Sequence, residues 1–335
     1  MSGFVAAGRV LKLSGGLFTV RLDAGEDPLS GRRIECRARG SLRDRGGLLP
    51  GDRVEVCYGE SSFVAGGEGF VPVSDASGVP DAAISSVLPR KNTLIRPPMA
   101  NLDILFVIIA AARPDPSLPA VDRLLASAEY RSVEPVIVIT KRDLSPSSAA
   151  TLADIYTKAG YPVFLTQAEE SPDAGLTGWL EKELPGHTAA FAGVSGAGKS
   201  TLLNRLFPEL GLVSGEVSRK TGRGRQTTRT VELFEIGPEG SRGLIADTPG
   251  FSSIDFENFD FLPLEALPDC MREFRDCYEN CRWPDCTHTG EADCGVAAAV
   301  REGRVAASRH DSYREMYSTL KAKEYRDLKR RQNSK

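Results

Sequence analysis

Gly193-Val194-Ser195-Gly196-Ala197-Gly198-Lys199-Ser200-Thr201 is the stretch on which the reading of this chain turns. Through Ser200 it fits G-x-x-x-x-G-K-[ST] at every fixed position, the pattern of a phosphate-binding loop. The flanks agree with it. Ala189–Ala192 feeds in as an apolar strand, and Leu202, Leu203, Leu206 and Phe207 leave at helical spacing. Glycines let backbone N–H groups wrap a phosphate, and a helix N-terminus favours negative charge there. Gly193 to Thr201 are therefore candidate nucleotide-binding residues. In such loops the Lys, here Lys199, reaches the β- and γ-phosphates as a catalytic group, and the Ser, here Ser200, holds Mg2+.

Working outward, two further motifs close apolar strands. Upstream, Val136–Thr140 runs into Thr140-Lys141-Arg142-Asp143. An Asp143 carboxylate can accept from guanine N1–H and from the 2-amino group, neither of which adenine offers, while the Lys141 stem packs over the flat base. Downstream, the strand Gly243–Ala246 ends in Asp247-Thr248-Pro249-Gly250. Asp247 can join the Mg2+ shell and the Gly250 N–H can meet a γ-phosphate. The order carries information of its own. An ordinary GTPase has its base motif last, whereas here Asp143 precedes Lys199, which precedes Asp247, so the arrangement is circularly permuted. Around these motifs, the nearly continuous apolar run Asp103–Ala112 alternates with helical stripes at Leu118, Val121, Leu124, Leu125 and Ala128, and at Leu152, Ile155 and Tyr156. Strand alternating with helix predicts an α/β domain with a largely parallel sheet.

Composition sets the frame. A chain of 335 residues suggests about two domains. Apolar residues at 41% and charged residues at 26% are ordinary globular usage, which excludes disorder of the whole chain. The apolar run ending at Ala112 is far shorter than the roughly 20 residues a membrane-spanning helix needs. The start, Met-Ser-Gly-Phe-Val, lacks the basic and apolar regions of a signal peptide. A soluble cytoplasmic monomer with no membrane partner is expected. The net charge of −3 provides no basic field over the whole protein, so any nucleic-acid contact must come from local patches.

The N-terminal part offers one. Val10–Leu13, Leu17–Leu22, Ile34–Arg39 and Arg53–Cys57 read as short strands between Gly, Pro and Asp turns, which predicts a small OB-type five-stranded β-barrel. Arg32, Arg33, Arg37, Arg39, Arg43 and Arg45 concentrate on one strand and the loop after it, a candidate RNA-contact surface. Residues 74–98 read as a connector containing Pro89-Arg90-Lys91-Asn92. At the other end, five of the seven cysteines fall between Cys270 and Cys294, with His288 among them. Without a secretory signal, that clustering points to a metal site rather than to disulfides. A helical tail follows, with Tyr313, Met316, Tyr317 and Leu320 on one stripe and then Lys321, Lys323, Arg326, Lys329, Arg330 and Arg331.

Motif content and order together resemble the RsgA family, circularly permuted GTPases that act in small ribosomal subunit maturation. The likeness spans nearly the whole chain. It implies an OB-type barrel with RNA contact over residues 1–73, the connector 74–98, a permuted α/β GTPase domain over 99–260, and an α-helical zinc-binding domain over 261–335. It implies a GTP-hydrolysing factor in late maturation of the small subunit, binding that subunit and its rRNA, stimulated by it, and using GTP/GDP with Mg2+. Cys281-x4-Cys286-x-His288-x5-Cys294 matches the family's zinc pattern, and three thiolates with one imidazole make a closed structural site. Cys270 and Cys277 are left as buried thiols, Cys277 being a possible substitute for Cys281. Cys36 and Cys57 read as barrel-core residues. Arg219–Arg229 resembles the family's first switch, in which Thr227 or Thr228 completes the Mg2+ shell. The chain departs from the family at Gln226, where His is usual, and at Thr140, where Asn is usual. Gln226 is then the candidate for orienting the attacking water. Two other readings stay open: a nucleotide-gated RNA-binding module with little turnover, and an ATPase of similar fold, against which Asp143 argues.

Overall fold

The computed structural model describes residues 3–25, 29–43, 47–59, 63–66, 69–72, 82–95, 98–167, 174–208, 231–237, 242–247 and 262–333. The chain divides into two compact units. The first comprises Met1–Leu102, Leu184–Ala190 and Gly222–Pro249, and the second comprises Asp103–Glu183, Phe191–Thr221 and Gly250–Lys335. Among the described residues, no helix is long and apolar enough to cross a membrane.

The first unit is built on β1 (Gly3–Ser14), β2 (Leu17–Leu22), β3 (Arg33–Ala38), the helical turn α1 (Gly40–Arg43) and β4 (Arg53–Gly59). The hairpin β5 (Phe63–Gly66) and β6 (Gly69–Pro72), then β7 (Ala83–Val87), β8 (Thr93–Ile95) and β9 (Pro98–Ala100), complete the N-terminal part. Strand β1 is long enough to pair twice, antiparallel to β4 through its first half and to β2 through its second. With β2–β3 and β4–β7 also antiparallel and β3–β7 parallel, five strands close into a ring. Alternation supplies the interior: Val10, Val20, Leu22, Ile34, Cys36, Val54, Val56 and Ile84 are buried together.

Two sequence expectations change here. Ala83–Val87, read as connector, is a strand of the ring, because Ile84 buries its side chain in the ring's core. Cys57, read as a core residue, is only half-buried, since the period of two turns Val54, Val56 and Tyr58 inward and Cys57 outward. The Pro89–Asn92 segment is anchored. Arg90 grips the fully buried Asp52 with two hydrogen bonds of 2.6 and 2.8 Å, and the Asn92 amide bonds both the N–H and the carbonyl of Leu102. Arg33 is held 2.5 Å from Glu235, so this member of the arginine strip is engaged within the protein. The ring continues through Lys12 opposite Glu232 into β14 (Glu232–Ile236), then antiparallel into β15 (Gly243–Asp247), which runs parallel to β13 (Thr188–Ala192).

The second unit carries the α/β alternation. In order come β10 (Ile104–Ala110), α2 (Leu118–Tyr130), β11 (Glu134–Thr140), α3 (Pro146–Lys158), β12 (Val163–Leu165), α4 (Ala174–Glu183) and α5 (Lys199–Leu206). Strands β10, β11 and β12 are parallel, and every residue of β10 is buried, as covering both faces of a sheet requires. Phe191, at the end of β13, stacks on Phe106 at 4.6 Å, and Trp179 of α4 meets Phe106 edge-on.

After residue 262, three short 3-10 helices (Leu264–Ala266, Pro268–Cys270 and Arg272–Asn280) precede α6 (Gly295–Arg301) and the long α7 (Ala307–Asn333). Their core gathers Leu267, Met271, Phe274, Cys277, Val296, Tyr313, Met316 and Leu320, and it includes Ala126 of α2. Beside it lies a buried charge network that sequence reading missed. Arg309 of α7 bonds Asp122 of α2 at 2.8 Å and Glu273 at 2.7 Å, all three side chains being at most 3% exposed. Burial lowers the Arg309 pKa, but the two carboxylates more than offset it and raise it well above the ordinary guanidinium value. Arg272 spans Glu129 of α2 and Glu134 of β11.

Candidate functional site

The strand, the glycine-rich turn and the helix expected around Gly193–Lys199 are all present. All five residues of β13 are buried, so the strand delivers Gly193 to the loop from a fixed position. The loop then passes close to β10: a Cβ at Gly193 would stand 2.6 Å from the Ile108 carbonyl oxygen, so only glycine fits. Gly198 caps α5 at φ +92°, in the left-handed region that disfavours any other residue. Helix α5 starts at Lys199 directly behind this turn. Its first N–H groups lack intrahelical acceptors and point back over the loop, which is the geometry that receives a phosphate.

Two parts of the chain far apart in sequence meet here. Thr140, buried at the end of β11, donates its hydroxyl to the Ala197 carbonyl at 2.5 Å. Lys141, at φ +56°, stretches its Nζ to the Gly196 carbonyl at 2.7 Å and also bonds the Arg113 carbonyl. The stem of Lys141 therefore spans from the Thr140–Asp143 loop to the phosphate loop, and Asp143 stands exposed at the end of that loop. At this departure from the family pattern, the Thr140 hydroxyl itself ties the end of the strand to the loop backbone. All of this lies at the carboxyl ends of parallel strands, where open α/β sheets bind their ligands. Sequence reading also missed the neighbouring turn Thr166-Gln167 after β12, whose Thr166 carbonyl accepts from the Arg142 N–H at 3.3 Å. A short apolar strand followed by polar residues was its only signal.

Asp247 closes β15 opposite Glu232 in the register. Gln226, Thr227, Thr228, Gly250 and Phe251, with Arg223, Arg225 and Arg229, lie outside the described residues.

The cysteine–histidine cluster assembles fully. The ligand atoms of Cys281, Cys286, His288 and Cys294 all lie within 4.8 Å of one another, with His288 Nδ1 at 3.6 Å from Cys281 Sγ and 3.5 Å from Cys294 Sγ. A tetrahedral zinc with Zn–S about 2.3 Å and Zn–N about 2.0 Å separates its ligand atoms by about 3.5–3.8 Å, so the quartet fits that ion. Backbone N–H groups support the sulfurs, Gly295 to Cys281 at 3.2 Å and Ala297 to Cys294 at 3.4 Å. Glu291 fastens the turn that carries His288, accepting from Thr287, Thr289 and Gly290. Burial opposes that carboxylate's charge, but these hydrogen bonds win and lower its pKa to about 2. Tyr278 stacks on the His288 ring at 5.2 Å, and His310 bonds the His288 carbonyl at 2.7 Å. Cys270 and Cys277 stay outside the quartet as buried thiols, and burial pushes Cys270 up to about 12. Cys277 therefore does not replace Cys281.

A phosphate loop braced by a Thr-Lys-x-Asp strand that comes before it in the chain defines a GTPase domain of circularly permuted order. Solved structures share that architecture. YjeQ from Thermotoga maritima superimposes with a TM-score of 0.71 at 30% identity, covering 95% of this chain and 99% of its own. YloQ, a circularly permuted GTPase, gives 0.70 at 29% identity over 96% of each chain. The sequence profile described as RsgA GTPase matches residues 87–257. The small ribosomal subunit biogenesis GTPase RsgA of Alkaliphilus metalliredigens is 41% identical over 86% of this chain and 90% of its own length. RsgA 2 of Listeria monocytogenes is 36% identical over 94% and 97%. The chain belongs to the RsgA GTPase family and is a GTP hydrolase.

Proposed function

We propose that this protein is a GTP-hydrolysing assembly factor for the small ribosomal subunit, acting late in its maturation in the cytoplasm as a monomer. The observation that carries the reading is the convergence of Thr140 and Lys141 on the carbonyls of Ala197 and Gly196, in the same chain as a complete Cys3His quartet. The names of the relatives supply the ribosomal setting. In this reading residues 1–73, with the strand Ala83–Val87 of the 74–98 segment added to their ring, form an OB-type barrel that contacts rRNA, and the rest of 74–98 leads to the GTPase domain, 99–260. Residues 261–335 form the zinc domain.

The site residues divide the work. Asp143 accepts from guanine N1–H and the 2-amino group, with Lys141 along the base. The N–H groups from Gly193 to Thr201 cradle the phosphates, and Lys199 neutralises charge as the β–γ bond breaks. Ser200, Asp247 and Thr227 or Thr228 are the residues that would hold Mg2+, which when bound supplies further neutralisation on the β- and γ-oxygens. Phe251 stands where many GTPases carry a water-orienting Gln and has no hydrogen-bonding group. Gln226 takes that role, since an amide can both donate to and accept from water, and it positions rather than deprotonates. One zinc ion, held by Cys281, Cys286, His288 and Cys294, is structural.

Co-sedimentation with small and large subunits under a non-hydrolysable GTP analogue, GDP and no nucleotide tests the partner. Binding restricted to the small subunit and dependent on the nucleotide is expected, and equal binding in every condition would remove the reading. Asp143→Asn is expected to lose GTP and gain xanthosine triphosphate, which presents an acceptor where guanine has its amino group. Full retention of GTP preference would show that another group reads the base. Gln226→Ala is expected to keep GTP affinity and subunit binding but to lower subunit-stimulated turnover by roughly 10²-fold, the cost of mispositioning a reactant. Unchanged stimulated turnover would transfer the role to a group supplied by the ribosome.

A further inference from the structure

Gln167 is gripped from two sides by arginines that belong to different parts of the nucleotide site. Arg142, next to Asp143, donates Nε to the Gln167 side-chain Oε1 at 3.0 Å. Arg205, on the helix that begins at Lys199, donates Nη1 to the Gln167 backbone carbonyl at 2.5 Å. The turn they grip is itself tied to the sheet, with Thr166 N–H donating to the Ile139 carbonyl at 2.7 Å and the Arg142 N–H donating to the Thr166 carbonyl at 3.3 Å. Three segments meet at one residue: the loop that carries Asp143, the turn after β12, and the helix that receives the phosphates.

We propose that Arg142 and Arg205 are positioning residues for base recognition, clamping Gln167 so that the Asp143 loop keeps a set distance and angle from the phosphate-binding helix. The inference rests on the guanine reading of Asp143 given above. A nucleotide is held at both ends, and a carboxylate that must meet two donors on one edge of a base tolerates little rotation. Asp143 is exposed and stands on a loop, so its aim has to come from neighbouring groups. Lys141 and Thr140 brace the near side of that loop against the phosphate loop. On the far side the braces are Arg142 and, through Gln167, Arg205. A charged donor to a carbonyl or amide oxygen is stronger than a neutral one, and both arginines are half-buried, which limits competition from water. The two grips are also chemically distinct. Arg142 reaches the Gln167 side chain, whereas Arg205 holds its backbone and does not require the side chain.

That difference makes the test. Displacement of a fluorescent guanine nucleotide by GDP and by ADP would be measured for wild type, Arg205→Ala, Arg205→Lys, Arg142→Ala, Gln167→Ala and the two double variants with Gln167→Ala. Arg205→Ala should weaken GDP about tenfold, the scale of one charged hydrogen bond, and ADP by less than about twofold, so that the GDP-to-ADP preference narrows. Arg205→Lys should recover part of that preference. Arg142→Ala should weaken GDP on its own and cost less in the Gln167→Ala background than in wild type, whereas Arg205→Ala should keep its full cost there. Because Arg142 and Gln167 lie off helix α5, their variants report on the clamp even if Arg205→Ala folds poorly. Equal losses for GDP and ADP, or a wild-type preference left intact in Arg205→Ala and in Arg142→Ala, would overturn the clamp alone. A wild type that binds GDP and ADP alike would overturn the guanine reading, and the clamp with it.

Discussion

Replacement of His288 or Cys286 by alanine, or removal of metal with a strong chelator, is expected to dissolve the folded state of residues 262–333. The four ligands come from three separate places: Cys281 at the end of a 3-10 helix, Cys286 and His288 in the turn that Glu291 fastens, and Cys294 at the N-terminus of α6. Those pieces are short. A structural zinc can supply on the order of 10 kcal/mol to such a domain, more than its modest core can replace. Phe274 and Tyr313 pack around the His288 ring, so loss of the ligand also opens the core that α7 covers. The measurements are metal analysis, with about one zinc per chain expected, and hydrogen exchange across α7 before and after chelation. Absence of zinc from freshly purified protein, or unchanged protection of Tyr313 to Leu320 after chelation, would end this account.

The second large effect concerns the buried triad Asp122–Arg309–Glu273. Asp122→Ala removes one partner and leaves Arg309 with an uncompensated share of charge in a site that water does not reach, which typically costs about 3–5 kcal/mol. Arg309→Ala is as costly, because it strands two carboxylates. Replacing the charges together, as in Asp122→Leu/Arg309→Met/Glu273→Leu, should recover much of the loss, since an apolar cluster of similar volume carries no desolvation penalty. Denaturant unfolding that follows the second unit, with both single variants and the triple, measures this. Single variants within about 0.5 kcal/mol of wild type, the range of ordinary surface substitutions, would mean that the network is not what joins α7 to α2.

Some of the difference between sequence and structure has a common cause. By residue type Cys57 reads as a core residue, but its position in the alternation, one step from Val56 and Tyr58, turns it outward. Asp122 lies among apolar helical positions of α2 and reads as a surface residue until Arg309 is brought to it from far along the chain. Ala83–Val87 is too weak a strand by composition to be distinguished from connector, and it is a strand because β3 and β4 both offer it a free edge.

Local chemistry was legible without coordinates. Glycine spacing before Lys199, the strand ahead of it and the helix after it are constraints within a dozen residues, and short-range sterics and hydrogen bonding enforce them. The permuted order of Asp143, Lys199 and Asp247 is likewise a property of the chain itself, as is the supply of three cysteines and a histidine at ligand spacing. Partnership was not legible. That the Thr140 hydroxyl serves the Ala197 carbonyl, that Arg205 reaches Gln167, and that Cys281 rather than Cys277 joins the quartet were decided only when the elements packed. Periodicity tells which face of a strand or helix turns inward, but it carries no record of what that face will meet. Long-range partners are set by the packing of whole elements, where burial forces each polar group to find an acceptor or a counter-charge.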